Sequence, residues 1–260
     1  KENYKEKTKE DKENCKEEKA MKFLTNKPAV TVGKKLIISE LHFGIELSLQ
    51  YRGVQVKLEP EKYAAALNAL KRESNTSELV VIGDFKHTIT GFSQQERNAF
   101  NELISKLQFE KITVAKGNHD SRLEELARPF KHFHVEPPDG FIFSHRNVSY
   151  GLFHGHALAN EEVLKADVLM TGHNHAGVQI GTGEFAKTLP AWIISPFHKH
   201  QKLIAFPSFN PLSGAIPFNA LKQNKLRGPI FKNKNLNLEE AEVILLSGQR
   251  IGKLKHLRTY

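Results

Sequence analysis

The sequence is poor in the residues that staple chains or anchor them in lipid. Its 260 residues include one cysteine, Cys15, one tryptophan and two methionines. A single thiol excludes an intramolecular disulfide and a thiolate zinc cluster, and it fits a reducing, cytoplasmic compartment. No apolar run approaches the ~18–20 residues that span a bilayer, so no membrane partner is expected. The N-terminus is a charged run rather than a short basic segment followed by an apolar one, so no secretory leader is expected. No segment interleaves aromatic and basic residues in the manner of a single-strand binding platform. No repeat of 20–50 residues recurs, which excludes a solenoid.

Charge, by contrast, is plentiful. Lys and Arg number 38 against 29 Asp and Glu, a formal surplus of +9. Residues 1–20 hold seven Lys and seven acids and so contribute 7 − 7 = 0. Residues 221–260 hold nine Lys or Arg against three Glu, so 9 − 3 = +6 sits in the last forty residues. The first segment is too polar to bury enough apolar surface to offset its ordering entropy. Residues 1–25 are therefore read as a tail, and 26–260 as one domain without an internal linker.

Within that domain short β-branched runs alternate with helical patterns. Strands are expected at residues 35–39, 79–82, 112–115, 150–153 and 168–170. Helical spacing runs from Glu61 to Arg72, with Tyr63, Leu67 and Leu70 on one face. Ser93 and Glu96 form a capping-box pattern ahead of Phe100, Leu103, Ile104 and Leu107. Beyond about residue 176 the chain turns to short strands and turns rich in Gly and Pro. Strand–helix alternation of this kind gives an α/β fold with helices covering a sheet.

The polar chemistry collects where these strands end. The five strands run into Glu40-Leu41-His42-Phe43-Gly44, Gly83-Asp84-Phe85-Lys86-His87, Gly117-Asn118-His119-Asp120, His154-Gly155-His156 and Gly172-His173-Asn174-His175. Seven of the thirteen histidines lie in these clusters. A lone histidine beside a strand is usually a satisfied polar residue, and the pairs His132/His134 and His198/His200 are read as surface or structural. Five clusters in succession, each behind an apolar strand, point instead to one shared site, because ligands of parallel sheets bind at the carboxyl ends of strands. Carboxylate, amide and imidazole donors without thiolate suit Mn²⁺, Fe²⁺ or Zn²⁺. The donors are too many for one tetrahedral ion, and two ions ~3.5–4 Å apart clamp a phosphoryl group.

The five motifs, in this order, resemble those of the calcineurin-like metallophosphoesterases. The match spans roughly residues 26–260 and is similar to the ligase- and helicase-associated branch, through Gly83-Asp84 with Lys86-His87, the run Pro207-Ser208-Phe209-Asn210-Pro211 and a terminal strand from Ala241 to Leu246. The resemblance implies a four-layer α/β/β/α sandwich and a site with two divalent ions, Mn²⁺ first. By motif, Glu40, His42, Asp84 and His175 would hold one ion. Asn118, His154 and His173 would complete the other, with Asp84 bridging. His119 would not bind metal but would stabilise or protonate the leaving oxygen. Asp120 would either orient His119 or cap the helix that follows. His87, His156 and Lys86 would lie behind the ligands or face substrate. One position departs from the pattern: Glu40 stands where the family has Asp, which lengthens the arm by about 1.5 Å.

The substrate is less well specified. The basic balance points to a polyanion, with Lys222, Lys225, Arg227, Lys232 and Lys234 as candidate contacts. The leading expectation is a metal-dependent nuclease acting on DNA in repair, with a helicase or ligase as a possible associate. The alternatives are a small-molecule phosphodiesterase or phosphoprotein phosphatase, and a binding partner whose site Glu40 has weakened.

Overall fold

The computed structural model describes residues 21–259, and the expectation for residues 1–20 lies outside them. Residues 21–25, grouped above with the tail, belong to the domain. Met21–Phe23 (β1) pairs antiparallel with Ala29–Val32 (β2), Met21 opposite Val32.

Two sheets carry the fold. The first has six strands in chain order: β1, β2, Lys35–Ser39 (β3), Glu78–Ile82 (β4), Lys111–Ala115 (β5) and Phe133–Glu136 (β6). From β3 to β6 neighbouring strands are parallel. The parallel crossovers carry helices, as such connections must. Ile45–Tyr51 (α1) and Pro60–Ser74 (α2) follow β3, Gln94–Lys106 (α3) follows β4, and Leu123–Ala127 (α4) follows β5. The capping box at α3 forms as its sequence predicts: Ser93 Oγ accepts from Glu96 N at 3.1 Å and Glu96 answers the Ser93 N–H at 2.6 Å.

The second sheet has Val148–Phe153 (β8) and Val168–Thr171 (β9) parallel to each other near its middle. Phe141–His145 (β7) flanks β8, and Lys202–Ala205 (β12) flanks β9. Ala176–Ile180 (β10), the long Lys187–Pro196 (β11) and Ile216–Pro217 (β13) complete the path. Glu242–Leu245 (β14) realises the expected strand near the C-terminus, but it is not terminal, since Arg250–Lys253 (β15) pairs with it.

Side-chain alternation builds three cores from these two sheets. On β3, Ile37 faces the second sheet while Leu36 and Ile38 face the helices. On β4, Val80 and Ile82 face inward while Leu79 and Val81 face out. Both faces are apolar, as a covered parallel sheet requires. Tyr150, Leu152, Val168, Met170, Trp192, Ile204 and Phe206 answer from the second sheet. Leu67 and Leu70 of α2 and Phe100, Leu103 and Ile104 of α3 close the first outer layer. The other outer layer is thinner. Val163 of the short helix Glu161–Leu164 (α5) is joined there by Phe218, Ile230, Phe231, Leu238 and Leu254, all on 3₁₀ turns. The architecture is the α/β/β/α sandwich, with single turns replacing most of the fourth layer. Among the described residues no helix is long and apolar enough to cross a membrane.

Candidate metal centre

All five polar clusters meet at one edge of the sandwich. Those after β3, β4 and β5 come from the first sheet, and those after β8 and β9 from the second. The connections are strained where they meet. Glu40, His42, Asp84, His173 and His175 all have positive φ, between 42° and 64°. Each such residue costs on the order of 1 kcal/mol, and strain of this kind gathers where side chains must be aimed. Close approach is bought with glycine at two further points. A Cβ on Gly117 would stand 2.1 Å from Asp84 Oδ1, and one on Gly172 would stand 2.5 Å from Glu40 Oε1.

Glu40 is the hub. It is fully buried. Its Oε1 lies 2.9 Å from His154 Nε2 and 2.5 Å from the His173 backbone N–H. Its Oε2 lies 2.9 Å from His175 Nε2 and 3.0 Å from His42 Nε2. Those two imidazole nitrogens are themselves 3.2 Å apart. Asp84 Oδ2 stands 3.5 Å from His154 Nε2 and 3.8 Å from His42 Nε2. Among the described residues, Glu40, His42 and His175 form one group of converging donors, and Glu40, Asp84 and His154 another. The resemblance gives the bridging role to Asp84. Here the two oxygens of Glu40 face both halves of the site, because the extra methylene carries its carboxylate further into the centre.

The outer nitrogens of the same rings are fixed from behind. His175 Nδ1 donates to Ser213 O at 3.2 Å, His154 Nδ1 pairs with His156 Nδ1 at 2.9 Å, and His42 Nδ1 pairs with His87 Nδ1 at 3.3 Å. Such partners orient a metal-binding imidazole and leave Nε2 for the ion. His156 thus backs His154 and His87 backs His42, while His87 also lines the cleft. Asn118 Oδ1 is buried and has no hydrogen-bond partner among the described residues. An orphaned acceptor is costly unless something cationic meets it. The nitrogen and oxygen donors, the aimed Nε2 atoms and this free oxygen fit divalent ions. A third group joins His42 to His87 and His119, and His173 is the loosest member of the site: it lines the open cleft and joins none of the three converging groups.

Charge is unevenly shared between the carboxylates. Burial alone would raise Glu40, but cationic His154 and the hydrogen bonds from three histidines hold it well below the usual carboxylate range. Burial and the adjacent Glu40 charge push Asp84 up to about 8. Burial opposes protonation of His154, yet Glu40 and Asp84 overcome it and raise that imidazole to about 9. Burial, with repulsion from His154, takes His173 down to about 3 and His156 to about 4.

His119 sits at the cleft wall. Its Nδ1 donates to the His87 carbonyl, which leaves Nε2, 3.8 Å from Asp84 Oδ2, to face the cleft. Asp120 makes no side-chain cap for the helix that follows. Its carboxylate accepts from Gly117 N at 2.9 Å and Lys86 N at 3.1 Å, tying together two motif loops, one of which carries His119. The following helix α4 is capped at Arg122, without a side-chain bond. Lys86 is buried, and its ammonium is consumed by carbonyls, among them His119 O at 2.6 Å and Gly91 O at 3.1 Å. It anchors the loops and does not face substrate.

The sequence marked one strap around these loops without showing its role. The Pro207–Pro211 run clamps the Glu40 turn. Ser208 Oγ donates to Glu40 O at 3.0 Å, and Asn210 Nδ2 donates to Leu41 O at 3.1 Å and Tyr63 Oη at 2.8 Å. Asn174, the variable residue of its motif, makes a reciprocal pair with the Arg227 backbone at 2.9 Å in each direction. Arg52, just past α1, lines the cleft and carried no motif signal. Of the five basic candidates only Arg227 lines the cleft, while Lys222, Lys225, Lys232 and Lys234 are exposed elsewhere.

A buried N/O donor set at the strand ends of a two-sheet α/β sandwich defines a metallophosphoesterase-type fold with candidate ligands for divalent metal. Comparison with solved structures agrees. The chain is similar to the Pseudomonas putida nuclease MPE at 16% identity, with 86% of this chain and 90% of that chain covered and a TM-score of 0.55. It also matches Yfce, a phosphoesterase from E. coli, at 20% identity over 84% and 97% of the two chains, but the TM-score of 0.36 leaves the argument to the first. No protein-family model and no curated protein matches the sequence.

Proposed function

We propose that the protein is a metal-dependent phosphodiesterase that cleaves DNA. The observation that carries this reading is the convergence of His42, His154 and His175 Nε2 on two carboxylates, beside the unpartnered Asn118 Oδ1. His42, His175 and Glu40 would hold one ion. Asn118, His154 and Asp84 would hold a second, with His173 turning in from the cleft wall. Mn²⁺ is the ion expected of this mixed nitrogen and oxygen set. Bound there, divalent ions polarise a phosphoryl oxygen and activate water.

The chain's own residues supply the remainder. His119, held at Nδ1 by the His87 carbonyl, presents Nε2 to the cleft, where it delivers a proton to the leaving oxygen. Asp120 and Lys86 keep its loop in place. The basic surplus and the likeness to a nuclease support a nucleic-acid substrate, and the resemblance of the motifs to the ligase- and helicase-associated branch favours a place in DNA repair alongside a helicase or ligase. The test is Mn²⁺-dependent hydrolysis of bis-p-nitrophenyl phosphate together with cleavage of single-stranded and hairpin DNA. Both activities are expected, and both should vanish in Asp84→Ala. Preference for the mononitrophenyl ester with no DNA cleavage would favour a phosphatase instead.

The crowding of four donors on Glu40 favours one second reading, a site whose longer carboxylate competes with the ion and leaves a weak enzyme. Glu40→Asp should then raise metal affinity and rate together. No gain in either would dismiss it.

A further inference from the structure

The cleft beside the metal centre encloses about 280 Å³. That is at the lower limit for a small-molecule site and has room for little beyond one phosphodiester unit. A strand longer than a dinucleotide must therefore run out over both rims. Two arginines line the cleft. Arg52 follows the C-terminus of α1, whose start is set by the turn after His42, and it stands near His87. Arg227 stands near His173. Both residues line the cleft, and among the described residues neither guanidinium has a hydrogen bond or ion pair. Other arginines here are engaged: Arg122 binds Glu125, Arg250 binds Glu242, and Arg258 binds Glu239.

The backbone under Arg227 is built to hold it in place. Asn174, fully buried within the fifth motif, donates to Arg227 O and accepts from Arg227 N. Leu226 is anchored in the outer core. Gly228 has φ 91°, and a Cβ there would stand 2.0 Å from Gly155 O, so the segment lies flat against the His154 loop. This packing fixes the origin of the Arg227 side chain relative to two of the proposed ligands, while the side chain itself stays exposed and unpaired.

We propose that Arg52 and Arg227 are a phosphate clamp for an extended phosphodiester strand, gripping the phosphates that flank the one at the metal centre. The planar guanidinium matches two phosphate oxygens at once, and Arg suits this task better than Lys. The proposal rests on the phosphodiesterase reading for the central phosphate and adds the substrate's form: a polymer, recognised on both sides of the cut.

The test is fluorescence anisotropy of a labelled single-stranded 12-mer with the full chain in Ca²⁺ buffer, titrated with salt. Arg52→Ala and Arg227→Ala are each expected to weaken binding about tenfold and to flatten the log K against log salt slope by ~0.7, the single-strand value for one phosphate contact. Lys111→Ala removes the same charge at the amino end of β5, the opposite end of the sheet, and is the control for net charge. Equal weakening by Lys111→Ala would overturn the clamp, as would absence of binding by the unaltered chain at low salt. Arg227→Lys, which keeps the charge but not the fork, should recover only part of the loss, and full recovery would also count against it. Bis-p-nitrophenyl phosphate hydrolysis on the same preparations separates the two claims. Its absence sinks the phosphodiesterase reading, while the binding series still decides the clamp.

Discussion

A buried carboxamide oxygen without a donor costs ~1–3 kcal/mol, so Asn118 Oδ1 is a burden on the metal-free chain. Replacing Asn118 by Ala should leave the metal-free melting temperature unchanged or slightly higher. It should also shrink the rise in melting temperature that Mn²⁺ confers, and a large metal-free loss would contradict a ligand role. Glu40 and His154 are linked in a different way. Glu40 is the leading charge that raises His154 against burial, so Glu40→Gln should bring His154 down from about 9. Titration of its ring protons by NMR reads this directly, and an unmoved pKa would show that Glu40 is not the charge that sustains it. These residues were legible as a set because ligand chemistry repeats at five strand ends. The hub position of Glu40 was not, because it depends on how far one methylene reaches across a gap between two sheets.

Elements carry the site only because loops hold them together. The Pro207–Pro211 strap, Lys86 and Asp120 each bind the backbone of motif loops rather than any substrate group. Asn210→Ala removes bonds to Leu41 O and Tyr63 Oη, at ~0.5–1.5 kcal/mol for each, and should lower stability by about 1–3 kcal/mol in a denaturant titration. Gly172→Ala places a methyl against Ser39 Oγ and Glu40 Oε1, and should lower metal affinity even where the fold survives. All five strands behind the motifs, the helix over Glu61 to Arg72 and the capping box at Ser93 were readable, because each is a local pattern of period two or 3.6. β1, β2 and α1 were not picked out. β1 adjoins the charged run and looks like its continuation. α1 is seven residues long, too short for its spacing to declare itself. The 3₁₀ turns of the fourth layer have no period, and Gly, Pro and Asn in that region marked only turns.

At the scale of the molecule, the surplus charge is narrower than the sequence implies. Of the nine cations in residues 221–260, Arg250, Lys253, Lys255 and Arg258 pair with Glu239, Glu240 or Glu242. Surface pairs like these add little stability, but they remove those charges from a polyanion's reach. The sandwich itself rests on the core shared by the two sheets. Trp192, 1% exposed, packs there between Phe23 and Phe206, so Trp192→Ala should cost about 3–5 kcal/mol and loosen both halves of the site together. Protons govern whether that site fills. In the metal-free protein Asp84 is pushed up to about 8 and His154 to about 9, so near neutral pH the pair holds protons that a divalent ion must displace. Mn²⁺ affinity should accordingly climb from pH 6 to 9, with proton release visible by calorimetry in buffers of different ionisation enthalpy, and a flat profile would contradict this charge assignment. The central claim is that the five strand-end clusters form one metal centre, and anomalous scattering from a Mn²⁺-soaked crystal tests it most directly. The account predicts two peaks ~3.5–4 Å apart, one against His42 and His175 and the other against Asn118 and His154, with Glu40 between them. A map with no peak within bonding distance of these side chains would contradict it.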